Sequence, residues 1–295
     1  MDNILVIGAG FMGGGIAQVA AQGGYTVYLQ DINPEALEKT MAQVKWSTEK
    51  LASKGKIKDS AKTVQDRITP VKDFSIAPKC QWVIEVVYED EKIKKDLFKD
   101  LDAACPVDTV LASNTSSIPI TRLASLTKHP ERVVGLHFFG PVPMMRLVEV
   151  IKGNMTSDAV FKKSVDFINS LGQYPVKVMQ DIPGFIMNRI SGAAFREAFD
   201  LVERGIATVD DVDKGMHYGF NWNIGPFEIA DNAGLDTYMR VGKAFVALGA
   251  GDLMSKSDLL EKMVKAGRLG RKVGKGFYDY TPDGKMIPFD ITTLK

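Results

Sequence analysis

Three features of this 295-residue chain predict a doubly wound, mostly parallel α/β sheet followed by an all-α region. The first is the apolar run Ile4-Leu5-Val6-Ile7, which passes at once into Gly8-Ala9-Gly10-Phe11-Met12-Gly13 and then into a helical stretch from Gly14 to Gln22. The second is the recurrence of short apolar runs between helical patterns, the signature of buried parallel strands joined by crossover helices. The third is a change of character at Asp181-Ile182-Pro183-Gly184, beyond which the periodicity is almost wholly helical. A boundary is therefore expected near residue 182, giving one region over 1–182 and a helical one over 183–295.

The opening segment carries its own chemistry. A strand, a GxGxxG turn, a helix and a second strand, Thr26 to Gln30, ending in an acid, Asp31, form the dinucleotide-binding fingerprint in its full Rossmann-type context. Gly8 permits the tight turn, Gly10 lets backbone approach a pyrophosphate, and Gly13 lets helix and strand pack closely. The helix N-terminus offers unpaired N–H donors and a partial positive charge to phosphates. Asp31 lies where an acid accepts from ribose hydroxyls and repels a 2′-phosphate, which favours NAD over NADP.

Asn33-Pro34-Glu35 starts a helix that runs to about Lys54, with Leu37, Met41, Val44 and Leu51 at helical spacing and a lysine-rich exposed face. Cys80 to Val87 is a strand, followed by a helix with Ile93, Leu97, Phe98 and Leu101 on one face. Further strands are expected at Thr109–Ala112, Val133–His137, Leu147–Ile151 and Tyr174–Val178. In the second region Ile186, Ile190, Ala194 and Ala198 make one helical stripe. Thr208, Gly225-Pro226 and Ser257 open later helices. An α/β sheet followed by helices implies a crevice between the two regions as the substrate site.

Composition excludes some classes of partner. A formal net charge of +1 gives no electrostatic reason to expect nucleic acid or a membrane surface. No apolar stretch reaches spanning length. The first strand begins at residue 3, so no signal or transit peptide is expected. Cys80 and Cys105 have no metal-ligand spacing, and a reduced, cytoplasmic setting with idle thiols fits them.

Hydride transfer to a dinucleotide needs a base for the hydroxyl proton, and histidine suits neutral pH. Of His129, His137 and His217, the first lies in a polar loop and the last in a helix. His137 ends an apolar strand, where open α/β sheets place ligand sites, although a buried structural histidine fits the same position. Glu149 interrupts the apolar strand Leu147–Ile151, where a carboxylate is costly unless paired. If the neighbouring strand is the one ending at His137, the carboxylate would orient the imidazole. An ion pair with Arg146 or Arg189 is the alternative. Ser113-Asn114-Thr115-Ser116-Ser117 follows a strand and either reaches cofactor and substrate or caps a helix. Asn188 lies among apolar residues on the first helix of the second region and can point a donor into a cleft.

Together these residues resemble the L-3-hydroxyacyl-CoA dehydrogenase family, and within it the short bacterial 3-hydroxybutyryl-CoA dehydrogenases. The matching segments run from Ile4 to Tyr280. They are Gly8–Gly13, Ala112–Ser117, Gly135–Phe139, Leu147–Ile151, Pro183–Arg189, Gly225–Glu228 and Gly274–Tyr278. The resemblance implies His137 as general base, Glu149 as its orienting partner, Ser116 as a donor to the substrate oxygen and Asn188 at the substrate carbonyl. It implies NAD as cofactor, held by Gly8, Gly10, Phe11, Met12, Gly13, Asp31, Glu89, Lys94, Asn114, Ser116 and Lys272. Ser47 and Lys54 match positions that touch CoA, although a lysine-rich helix face is commonly just solvated. One departure stands out. The family usually reads His-Phe-Phe-Asn-Pro, and this chain reads His137-Phe138-Phe139-Gly140-Pro141, which removes a side-chain hydrogen bond.

The expected activity is interconversion of an (S)-3-hydroxyacyl-CoA and the 3-oxoacyl-CoA. A CoA-independent, gulonate-type 3-hydroxy acid dehydrogenase and a non-catalytic nucleotide-binding protein are the alternatives. A homodimer through residues 183–295 is expected, because Phe195, Phe199, Met239, Val241 and Phe245 are many apolar residues for a small region.

Overall fold

The structure, a computed structural model, describes residues 2–249 and 257–294. The chain divides into two compact units, Met1–Ile182 and Pro183–Lys295. In the first unit the elements run β1 (Asn3–Ile7), α1 (Phe11–Gln22), β2 (Thr26–Gln30), α2 (Pro34–Ser53), α3 (Ala61–Asp66) and β3 (Ile68–Val71). Then come β4 (Trp82–Glu85), α4 (Glu91–Ala104), β5 (Val110–Ser113), α5 (Ile120–Ala124), β6 (Val133–Phe138), β7 (Leu147–Ile151), α6 (Asp158–Ser170) and β8 (Tyr174–Val178).

All eight strands form one sheet in the order β3-β2-β1-β4-β5-β6-β7-β8. Every pairing is parallel except β6 with β7. The strand order reverses between β1 and β4, and the carboxyl ends of strands at such a point form the ligand crevice of open α/β sheets. The core is made by the strand residues themselves, such as Ile4, Val6, Ile84 and Leu136, with helix residues such as Ile16 and Phe167 packed on them. Local signals set the helix ends. Asn33 caps α2, with Pro34 at its first position, and Asp90 caps α4 through the amide of Ile93.

Two details of this unit depart from expectation. The β3 strand, Ile68-Thr69-Pro70-Val71, is not legible as a strand because of its proline. It sits at the sheet edge, where proline costs no ladder bond. On α4 it is Lys94 that is buried with Phe98 and Leu101, while Ile93 is half exposed. A helical stripe drawn from apolar residues alone misplaces this face, because Lys94 is buried for its charge.

The second unit contains α7 (Met187–Glu203), α8 (Val209–Phe220), α9 (Pro226–Ala233), α10 (Leu235–Ala247) and α11 (Asp258–Lys265), followed by a hairpin of β9 (Tyr278–Tyr280) and β10 (Met286–Pro288). The hairpin is an addition to an otherwise helical unit. Thr208 and Ser257 cap α8 and α11. The buried face of α7 is Gly192, Phe195, Ala198, Phe199 and Val202, not the stripe through Ile186 and Ile190; Ile190 is exposed. An aromatic cluster of Phe199, Phe227, Phe277 and Tyr238 forms the centre. Phe195, Phe199 and Phe245 are buried by the chain's own fold, so they are not surplus apolar surface. Two buried carboxylates staple this unit. Asp213 accepts from the amides of Phe227 and Glu228 and from the Tyr278 hydroxyl. Asp231 accepts from the amides of Phe277 and Tyr278 and from the Tyr280 hydroxyl.

Among the described residues no helix is long and apolar enough to cross a membrane.

Candidate active site

His137 lies near the end of β6 and Glu149 in the middle of β7. The antiparallel register sets them directly opposite, so both side chains leave the same face of the sheet. The imidazole Nδ1 and Glu149 Oε2 are 2.7 Å apart, and Glu149 is fully buried. A carboxylate removed from water is tolerated only with such a partner. The bond places the ring's proton on Nδ1 and fixes the ring orientation. Both arginines are engaged within their own units. Arg146 donates to the carbonyl of Gly172 and lies over the Tyr174 ring, and Arg189 donates to the carbonyl of Pro183. His129 is at the surface beside Glu131, and His217 Nδ1 is 2.7 Å from the carbonyl of Trp222.

The segment after β5 is organised by two glutamates. Ser113 Oγ donates to Glu85 Oε2 at 2.6 Å. The hydroxyls of Thr115 and Ser117 both donate to Glu89 Oε1, the second at 2.8 Å. Asn114 Oδ1 accepts from the amide of Phe138 at 2.8 Å, which ties this segment to the residue beside His137. The Thr115 hydroxyl also accepts from the amides of Ser117 and Ile118. Four of the five side chains from Ser113 to Ser117 are thus committed within the protein. Ser116, half-buried, enters none of the described side-chain hydrogen bonds.

Glu85 is fully buried at the end of β4, a strand position that reads as core. Its Oε1 takes the Lys94 ammonium at 2.5 Å and the amide of Val87 at 2.8 Å. Lys94 Nζ also lies 3.2 Å from Glu89 Oε2 and 3.3 Å from the carbonyl of Val87. An ammonium has three donors, and these three acceptors engage them. Burial works against the Glu89 charge, yet the Lys94 ammonium and the two hydroxyls hold its carboxyl below the usual carboxylate range. Glu85 is the residue of this network that the sequence reading misses. The signal available was an acid in a strand of otherwise apolar residues, the same signal that marks Glu149.

The dinucleotide turn sits at the end of β1. Gly8 has a left-handed φ of +110° and its backbone lies against the carbonyl of Val86, where a Cβ would collide. No side chain caps α1, so its first amides point outward as donors. A Cβ at Gly10 would meet nothing within 4 Å, so the approach to those donors is open. Asp31 Oδ2 accepts from the amide of Ala9 at 2.7 Å and Oδ1 from that of Asn33 at 2.9 Å, which holds the carboxylate at the end of β2 beside the turn. Each oxygen retains a lone pair for a ribose hydroxyl. These residues fit a dinucleotide. Gly140 lies against the same turn, since a Cβ there would sit 2.8 Å from Phe11 Cε1 and 3.1 Å from Met12 Sδ. Phe11, largely exposed, thus occupies space that a side chain at position 140 would need.

The remaining candidates lie elsewhere. Ser47 and Lys54 are on α2 and at its C-cap, the first half-buried and the second exposed. In the second unit Asn188 is half-buried in the first turn of α7, and Lys272 pairs with Asp236 at 2.5 Å. The cysteines are buried, and loss of water pushes Cys80 up to about 12 and Cys105 to about 11, so both are inert thiols at neutral pH.

Comparison with known proteins places this geometry in a family. The profile of the 3-hydroxyacyl-CoA dehydrogenase NAD binding domain matches residues 3–182, and that of the C-terminal domain of the same enzymes matches residues 184–280. A 3-hydroxybutyryl-CoA dehydrogenase of Bradyrhizobium diazoefficiens is 41% identical, covering 98% of each chain. The mitochondrial hydroxyacyl-coenzyme A dehydrogenase of Homo sapiens is 41% identical, over 95% of this chain and 91% of its own. The crystal structure of an (S)-3-hydroxybutyryl-CoA dehydrogenase from Ralstonia eutropha superposes with a TM-score of 0.88 at 37% identity, covering 95% of this chain and 99% of the other. The chain belongs to the NAD-dependent 3-hydroxyacyl-CoA dehydrogenase family.

Proposed function

We propose that this protein interconverts (S)-3-hydroxybutyryl-CoA and acetoacetyl-CoA with NAD, His137 acting as the general acid and base. What carries the reading is the buried His137–Glu149 pair at 2.7 Å, joined by the Asn114–Phe138 hydrogen bond to a segment in which the Ser116 hydroxyl enters none of the described hydrogen bonds.

NAD, when bound, supplies the hydride acceptor at its nicotinamide ring. The residues of the chain do the rest. In the oxidation direction His137 Nε2 takes the proton from the C3 hydroxyl as the C3 hydride departs, leaving a C3 carbonyl and an imidazolium. Glu149 stabilises that imidazolium and keeps the ring aimed. Ser116 donates to the C3 oxygen, stabilising the negative charge that builds there, a role that an internally bonded hydroxyl could not fill. In the reverse direction the imidazolium returns its proton to the same oxygen. Asn188 steadies the thioester carbonyl. Asp31 accepts from the adenosine ribose and the amides at the start of α1 hold the pyrophosphate. Asn114, with its Oδ1 already bonded, offers its amide donors. Lys94 acts by position, holding Glu89 and the Val87 carbonyl. Ser47 and Lys54 receive the CoA moiety, and Lys272, paired with Asp236, is assigned to the cofactor. We place residues 1–182 as the cofactor domain, 183–295 as the substrate and dimerisation domain, and the protein in the cytoplasm. Exposed Ile190, Ile206, Tyr218 and Phe220 are among the apolar residues of the second unit available to a homodimer.

The test is NADH oxidation with acetoacetyl-CoA and with free acetoacetate in parallel. Turnover of the thioester alone supports the reading. Turnover of the free acid alone would replace it by a CoA-independent hydroxy acid dehydrogenase, and turnover of neither would leave a nucleotide-binding protein without this activity.

A further inference from the structure

The charged side chains gathered at the end of β4 do not cancel. Glu85 and Glu89 are both carboxylates, and among the described residues Lys94 is the one cation paired with either. Taken as ionised, the trio carries one net negative charge. Its formation is specified by structure. Glu85, fully buried, pairs with Lys94 at 2.5 Å and accepts from the amide of Val87 and the hydroxyl of Ser113. Glu89, about two-fifths exposed, accepts from Thr115, Ser117 and Lys94 and so faces the same strand ends with the excess charge. The neighbouring acid Glu91 is matched by Lys95 and Arg122, so it adds no comparable charge.

The place of this charge in the fold gives it meaning. In a doubly wound sheet the two halves of a dinucleotide lie on the two halves of the sheet, either side of the switch point. Asp31 and the glycine turn, on β1 and β2, take the adenosine half. The half beyond the switch point, β4 to β6, takes the nicotinamide. The oxidised nicotinamide ring is a cation and the reduced ring is neutral. Fixed negative charge on that side stabilises one redox form of the cofactor and has no such hold on the other.

We infer that the Glu85–Lys94–Glu89 cluster sets the relative affinity of this protein for the oxidised and reduced cofactor, with Glu89 the residue that carries the excess charge. This rests on the assignment of NAD to the β1–β6 strand ends. In the oxidation direction positive charge leaves the nicotinamide and appears on His137 beside Glu149. The cluster therefore opposes loss of the ring's charge, while Glu149 favours its appearance on the imidazole. The internal equilibrium between bound substrate and product reflects the balance of the two.

The experiment is direct binding of NAD⁺ and of NADH to the full chain by calorimetry, without substrate, for the wild type, Glu89→Gln, Glu89→Asp and Thr115→Val. Glu89→Gln removes the charge and keeps an acceptor. It is expected to weaken NAD⁺ relative to NADH by about tenfold, the size expected for a partly solvated unit charge in an effective dielectric of about 20. Glu89→Asp restores the charge and should return the ratio toward that of the wild type. Thr115→Val loosens the hydroxyl network without changing charge, and should shift both affinities alike. Equal weakening of both forms by Glu89→Gln would mean that Glu89 is only a strut, and would overturn the inference while leaving NAD binding intact. Failure of the wild type to bind either form would remove the cofactor assignment and this inference with it. Circular dichroism melting of each variant separates these outcomes from misfolding.

Discussion

Replacing Glu149 by Gln tests how the base is tuned with almost no change of shape. Glu149 is fully buried, and its Oε2 lies 2.7 Å from His137 Nδ1. The carboxylate acts on the imidazolium that forms when His137 takes the substrate proton. A unit charge about 4 Å away in an effective dielectric of about 20 stabilises that cation by roughly 4 kcal/mol, which corresponds to about a thousandfold in rate. Glutamine retains an acceptor oxygen and recovers part of this. It can also present its NH₂ to Nδ1, and then the ring adopts the wrong tautomer. The expected fall in kcat with acetoacetyl-CoA and NADH is therefore about 10²- to 10³-fold. The affinity for NADH, measured by its fluorescence, should hardly change, because Glu149 touches neither the glycine turn nor Asp31. Stability should hold too, since a neutral amide is cheaper to bury than a carboxylate. A Glu149→Gln enzyme whose kcat lies within about threefold of the wild type would refute the account of this pair.

Three further outcomes follow from particular groups. Asp31→Ala should narrow the preference for NADH over NADPH by removing the charge that repels a 2′-phosphate; a wild-type preference for NADPH in kcat/KM would count against the role of Asp31. Lys54→Glu, at the lysine-rich end of α2, should raise KM for acetoacetyl-CoA more than for a truncated thioester lacking the nucleotide and leave KM for NADH unchanged, so equal effects on both thioesters would make Lys54 a solvated surface residue. Burial pushes Asp213 up to about 6, against the pull of two amides and the Tyr278 hydroxyl. The folded state therefore holds a proton between about pH 4 and 6 that the unfolded chain has released, and stability falls as pH rises through that window, by up to about 3 kcal/mol from this group. Urea unfolding across the window should show a flatter pH profile for Asp213→Asn, and an unchanged slope would be evidence against this origin.

Legibility followed how local each feature is. The glycine turn, its helix and Asp31 are contiguous in the chain, and their spacing alone specifies the geometry. His137 and Glu149 are twelve residues apart, yet an acid inside Leu147–Ile151 is costly enough to advertise that it has a partner. The antiparallel register, which decides that the partner is His137, appears only in the sheet. The burial of Lys94 is not legible in the sequence, because lysines on helices are ordinarily solvated and only the buried Glu85 that it pairs with reverses that. The same two glutamates decide which hydroxyl among Ser113 to Ser117 stays uncommitted, a distinction that composition cannot make. The β3 strand was masked by Pro70, whose missing donor matters only if the strand is internal. The second unit hid its aromatic core because Phe195, Phe199 and Phe245 read equally well as interior or as interface until their neighbours are placed.

The central claim is that His137 moves the substrate proton. The measurement that tests it most directly is a single turnover of His137→Gln loaded with NADH and mixed with acetoacetyl-CoA, followed by nicotinamide absorbance, with NADH affinity measured on the same preparation. The account predicts NADH binding close to that of the wild type and a hydride-transfer rate lower by about 10²- to 10⁴-fold. A rate equal to the wild type's, with NADH bound, would contradict it and return His137 to the role of a buried partner for Glu149.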